Sequence, residues 1–113
     1  QTAGANAFVT GDHRALLERK DVDAVLIATP DHHHVPITID ACRAGKHVYV
    51  EKPLTHDLAE GKAVLAAEAE SKVIVQVGMQ QRSMPHLQEA REILRSGELG
   101  TIRKVHLTWN RNQ

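Results

Sequence analysis

A carboxylate, an ammonium and a proline stand in series at Glu51-Lys52-Pro53, directly after the apolar run His47-Val48-Tyr49-Val50. An ammonium held beside a carboxylate can grip a ligand oxygen and stabilise negative charge developing on it, while the proline stiffens the turn that presents it. Two more polar clusters follow apolar runs of the same kind. One is Thr29-Pro30-Asp31, with His34 close behind; the other is Gly78-Met79-Gln80-Gln81-Arg82, with His86 a few residues on. In open α/β sheets, ligands bind outside the carboxyl ends of the strands, so parallel strands would aim all three clusters at one edge. The plain alternative for each is a solvated turn: Glu-Lys after a strand, Arg82 capping a helix or pairing with a glutamate, His86 facing solvent. The His32-His33-His34 run invites a metal reading. Adjacent side chains diverge, however, and only Asp31 lies at ligand spacing, so no metal is expected.

The elements that must position these residues alternate along the chain. Asp12 suits the N-cap of a helix over His13–Lys20, and Asp23–Ala28 is apolar without alternation, the mark of a strand buried on both faces. Val35–Ala44 reads as a helix, with Pro36 in its first turn, a stripe of Val35, Ile39 and Cys42, and Gly45 as its stop. Cys42 on that stripe reads as core. The strand His47–Val50 leads into Glu-Lys-Pro, and a third helix spans Leu58–Glu70 with a face of Leu58, Gly61, Leu65 and Ala69. Val73–Val77 is the next strand. Ser83 then caps a helix carrying Pro85 and the stripe Leu87, Ala90 and Leu94, with Gly97 after it. Ile102–Trp109 alternates apolar and polar residues, as a half-exposed strand of an antiparallel sheet would. Strand spacing of about 24 residues leaves room for crossover helices, so the class is α/β with a parallel sheet.

Composition narrows the function classes. The chain has 113 residues, at most one domain, with 42% hydrophobic but only 3% aromatic residues, so the core must rest on aliphatic side chains. A formal net charge of zero argues against a nucleic-acid surface or a membrane-surface segment, and no apolar run nears the roughly 20 residues that span a bilayer. One cysteine excludes an internal disulfide and suits a reducing compartment. A dinucleotide-binding sheet opens with Gly-x-Gly-x-x-Gly, and no Gly-x-Gly occurs here. The chain is then either a partial sheet, lacking its first strands and glycine-rich loop, or an α/β domain that never bound a dinucleotide; three or four parallel strands are few, which favours the partial sheet.

Asp23–Pro30, His34, Ala44–Pro53 and Gly78–Ser83, in that order and spacing, resemble the Gfo/Idh/MocA oxidoreductases: glucose–fructose oxidoreductase, inositol dehydrogenase and their relatives. The resemblance implies that residues 1–100 are the later part of an NAD(P)-binding Rossmann domain. Residues 101–113 would begin a C-terminal domain that shapes the sugar site and mediates homo-oligomerisation. It implies NAD or NADP as cofactor and a sugar, polyol or related carbohydrate as substrate. Lys52 becomes the catalytic group that polarises the substrate oxygen. Thr29, Pro30, His34, Glu51, Lys52, Pro53 and Gln80 become cofactor contacts, and Lys52, Arg82 and His86 substrate contacts. The catalytic base falls beyond Gln113, so the chain by itself is expected to catalyse nothing. Two rival functions are a cofactor-retaining glycosidase of the same family and a non-catalytic α/β interaction module. The expected location is cytoplasmic, or periplasmic if an export signal precedes the chain.

Overall fold

The computed structural model describes residues 7–108. The chain divides into two compact units, Gln1–Met79 and Gln80–Gln113.

The first unit holds three helices and three strands: α1 (His13–Leu17), β1 (Ala24–Ile27), α2 (His34–Arg43), β2 (His47–Glu51), α3 (Leu58–Ser71) and β3 (Val75–Gly78). A turn of 3-10 helix, Asp31–His33, joins β1 to α2. The strands form one parallel sheet in the order β1-β2-β3. Its register sets Val25, Val48 and Val75 in one row across the sheet and Ile27, Val50 and Val77 in the next. Branched side chains in neighbouring strands pack well on a pleated surface. Against these rows lie Leu17 of α1 and Ile37 and Ala41 of α2, which complete the apolar core. Burying each aliphatic side chain contributes about 1.5–3 kcal/mol.

Local sequence explains the helix ends. The Asp12 carboxylate accepts from Arg14 N at 3.0 Å and starts α1, which stops at Leu17, three residues short of the expected Lys20. Gly45, at φ 71°, takes the left-handed conformation that closes α2. Asp57 caps α3 by accepting from Glu60 N at 2.8 Å, and Glu60 reaches back to accept from His56 N at 2.7 Å, a reciprocal capping arrangement.

Two expectations are corrected here. The face of α3 that is buried contains Val64 and Ala67, while Leu58 is 86% exposed. Apolar residues surround this alanine-rich helix, so periodicity did not single out a face. β1 is covered on one side only: Leu26 is 69% exposed, and with Tyr49 and Gln76 it forms a row on the face opposite the core.

The second unit contains a 3-10 turn, Gln80–Ser83, and α4 (Pro85–Ser96). Met84, not Ser83, is the N-cap of α4, and it makes no side-chain capping bond. Pro85 forces the residue before it out of the helical region, so the cap falls on Met84. Gly97, at φ 81°, follows the helix. Leu87 and Leu94 of the expected stripe are exposed. The alternating segment Ile102–Trp109 is not a strand across residues 102–108, and Trp109 lies outside the described residues. A strand needs a hydrogen-bonding neighbour, and no described residue pairs with this segment, so an antiparallel sheet is not formed here.

Candidate functional site

Because β1, β2 and β3 are parallel, their carboxyl ends share one edge of the first unit. This edge gathers Thr29 and Pro30 after β1 with Glu51, Lys52 and Pro53 at the end of β2. His34, at the start of α2, sits between the two loops. Its ring is 2% exposed, with Nδ1 2.7 Å from the Pro53 carbonyl oxygen and Nε2 2.9 Å from the Thr29 carbonyl oxygen. Both oxygens can only accept, so the ring donates to at least one of them.

A second contact runs between the same loops in the opposite sense. His56, three residues past Pro53, places Nε2 3.4 Å from Asp31 Oδ2 and Nδ1 3.6 Å from Glu60 Oε2. Asp31 also accepts from His32 N at 2.9 Å. The His32 amide, then the hydrogen bond and charge of His56, hold the Asp31 carboxyl below the usual carboxylate range. Leu54 packs onto the core. The loop bearing Lys52 is thus fixed by a buried histidine, an apolar anchor and a helix cap. The Lys52–Pro53 peptide bond is cis.

Lys52 is exposed and forms no ion pair among the described residues; in particular, Glu51 does not pair with it. The surrounding residues therefore do not bury the ammonium, and its charge is available to a ligand oxygen. Glu51 leans the other way. A Cβ on Gly78, at the end of β3, would stand 2.9 Å from Tyr49 Oη and 3.2 Å from Glu51 Oε1, so the tyrosine hydroxyl and the carboxylate close over that glycine. Gln80 and Arg82 lie in the 3-10 turn of the second unit and His86 in the first turn of α4, all three exposed. Among the described residues no group of three or more His, Cys, Asp or Glu converges as a metal set would.

A cavity of about 630 Å³ beside this edge is lined by Thr29 and His33, by Thr10 and Gly11, and by His13 and Ile37. Its volume lies within the range of small-molecule and cofactor sites. A second cavity, about 590 Å³, is lined by Arg14, Lys20, Arg43 and Lys46, near the amino end of β2 and so at the other end of that strand from Lys52. The cavity beside Thr29 fits part of a dinucleotide, and the neighbouring strand end carries Lys52, which has no ion pair among the described residues. They include no glycine-rich cradle for a diphosphate.

The backbone partners of His34 were missed in the sequence. Nothing in the types of Thr29 and Pro53 marks their carbonyls as the partners of His34. Gly78 did carry a signal, since a glycine inside a strand pattern often marks close approach.

A three-stranded parallel sheet with crossover helices and polar strand ends at one edge is a Rossmann-type arrangement. The profile of the oxidoreductase family with an NAD-binding Rossmann fold matches residues 1–79, and the chain belongs to this Gfo/Idh/MocA family. It is 40% identical over 89 residues to scyllo-inositol 2-dehydrogenase (NAD(+)) of Bacillus subtilis, covering 79% of this chain and 26% of that protein. It is 36% identical over 101 residues to the uncharacterised oxidoreductase YrbE of the same organism, covering 89% and 30%. Among solved structures, levoglucosan dehydrogenase in complex with NADH and levoglucosan superposes with a TM-score of 0.75 at 35% identity, covering 80% of this chain and 25% of the other. The chain thus spans between a quarter and a third of the length of these relatives.

Proposed function

We propose that this chain supplies the middle of the active-site edge of an NAD-dependent oxidoreductase acting on a polyol or sugar. The observation that carries the reading is Lys52: an unpaired ammonium at the carboxyl edge, on a loop anchored at three points. The family match supports the redox class. Relatives named for inositol and levoglucosan support a polyhydroxylated substrate, and those names favour a dehydrogenase over a glycosidase. The relative named for NAD(+) and the complex with NADH favour NAD over NADP. Bound NAD supplies the hydride acceptor. Lys52 holds the substrate hydroxyl oxygen and stabilises the negative charge that grows on it as the carbon gives up hydride, a placement of charge that favours the transition state. The strand ends at Thr29, Pro30, Glu51 and Pro53 form the cofactor-facing wall of the first unit, and Gln80 of the second unit is read as a cofactor contact from the family resemblance. Arg82 and His86 present donors to substrate oxygens. In this reading residues 1–100 belong to the cofactor domain and residues 101–113 open the next one, and the group that takes the hydroxyl proton lies outside residues 1–113.

The test is Lys52→Met in the protein expressed from its complete reading frame, assayed with NAD and a panel of inositols and anhydrosugars. Turnover should fall by about 100-fold or more, the scale for removing a donor to a developing oxyanion, while NADH still binds. Full turnover in the variant, or no NAD-dependent oxidation of any polyol or sugar by the wild type, would count against the proposal.

A further inference from the structure

We infer that His34 is a positioning residue for Lys52, acting through the Pro53 carbonyl, and is not itself a contact of the cofactor; the inference rests on the role proposed for Lys52. The ring is 2% exposed, and both of its nitrogens face backbone oxygens of the protein, at 2.7 and 2.9 Å. No polar ring atom is left to meet a ligand. The two carbonyls belong to the loops that end β1 and β2; with its proton on Nδ1 the ring donates to Pro53 and packs its other nitrogen beside the Thr29 oxygen, so the hydrogen bond is made to the loop that carries Lys52. The Pro53 carbonyl lies one residue beyond Lys52. Fixing it removes freedom from the backbone that aims the ammonium. His56 reaches from the Lys52 loop to Asp31 in the first loop, so each loop sends a histidine to the other. His34 is the buried member of that pair, and burial shields its hydrogen bond from competition with water.

An isosteric pair of variants separates the two ring contacts. In His34→Asn the amide nitrogen takes the place of Nδ1 and can still donate to Pro53. In His34→Gln it takes the place of Nε2 and reaches Thr29, leaving the Pro53 carbonyl without a donor. Each variant of the protein expressed from its complete reading frame is assayed for kcat, KM and NADH affinity, after thermal unfolding shows that it folds. His34→Gln should lower kcat by about 100-fold, the scale for misplacing a group by an ångström, with NADH affinity unchanged. His34→Asn should retain the larger share of turnover. Equal loss in the two variants, no loss in either, or a rise in the NADH dissociation constant that parallels the loss would overturn the inference. A measurement independent of turnover is the 15N spectrum of the wild-type imidazole. The brace requires a proton on Nδ1 of His34, slow to exchange; an unprotonated Nδ1 overturns it. If the wild type proves to have no dehydrogenase activity, the role of Lys52 fails while that spectrum still decides the brace.

Discussion

Gly78→Ala is the perturbation whose cost follows most directly from the geometry. Gly78 has no unusual backbone conformation, so its requirement is spatial: the added Cβ would stand 2.9 Å from Tyr49 Oη and 3.2 Å from the Glu51 carboxylate, where ordinary contact begins at 3.4 Å. The tyrosine oxygen is therefore about half an ångström too close, at a separation that real Cβ atoms avoid. Overpacking costs typically about 1–3 kcal/mol. Two factors pull the value down. Alanine restricts the unfolded chain and recovers about 0.4–1 kcal/mol, and the obstructing atoms are side-chain tips that can swing aside. The net expectation is destabilisation by about 1 kcal/mol. Tyr49 Oη makes no hydrogen bond among the described residues, so Tyr49→Phe removes the obstacle at little cost. Urea unfolding of wild type, both single variants and the double variant measures the coupling. Gly78→Ala should cost clearly less when combined with Tyr49→Phe, and the saving should be about 0.5 kcal/mol or more, the coupling expected of residues in contact. A stabilising Gly78→Ala, or an equal cost in both backgrounds, would refute the argument that Tyr49 dictates glycine at this position.

Two further outcomes are expected. Thr38 Oγ1 is fully buried with no hydrogen-bond partner among the described residues, so Thr38→Val, which keeps the shape and removes the stranded hydroxyl, should stabilise the fold by about 1 kcal/mol; a lower midpoint in thermal unfolding would contradict this. Asp31 has a depressed carboxyl in the folded state, so the unfolded chain binds more protons in acid, and the contribution is present above the ordinary carboxylate value near ~4 and fades as pH falls through the lower native value. Asp31→Asn keeps an acceptor for His32 N and removes only the charge. The variant should be less stable than wild type at neutral pH, and urea midpoints should converge in acid; a gap that stays constant below the native value would exclude the charge as its cause.

The legible parts of this chain were those decided within a few residues. Asp12, Gly45 and Pro85 mark helix boundaries by local stereochemistry, and the runs around Val25, Val48 and Val75 are strands because β-branched residues recur there. The shared edge of Thr29, Lys52 and Pro53 followed from parallel topology alone. What escaped depends on partners distant in sequence or hidden in the backbone. The His34 nitrogens bind carbonyls, which every residue has. The buried face of α3 could not be read because alanine is tolerated on any side. Ile102–Leu107 alternates like a strand, but pattern without a neighbour makes no ladder. Pro85 displaced the cap from Ser83 to Met84, a case of two local signals in competition.

The order of the sheet has a consequence for how the chain comes into being. β2 and β3 each pair with the strand synthesised just before them. At about 5–20 residues per second of synthesis, roughly a few seconds separate successive strands, whereas helices form in microseconds and short loops close faster still. β1, α2 and β2 therefore have time to dock before β3 leaves the ribosome, and β3 meets a finished template edge instead of a free chain. The rows of valine and isoleucine grow by one residue per arriving strand. The sheet can be assembled vectorially, in the direction of translation, with β2 and β3 each adding to a strand already made.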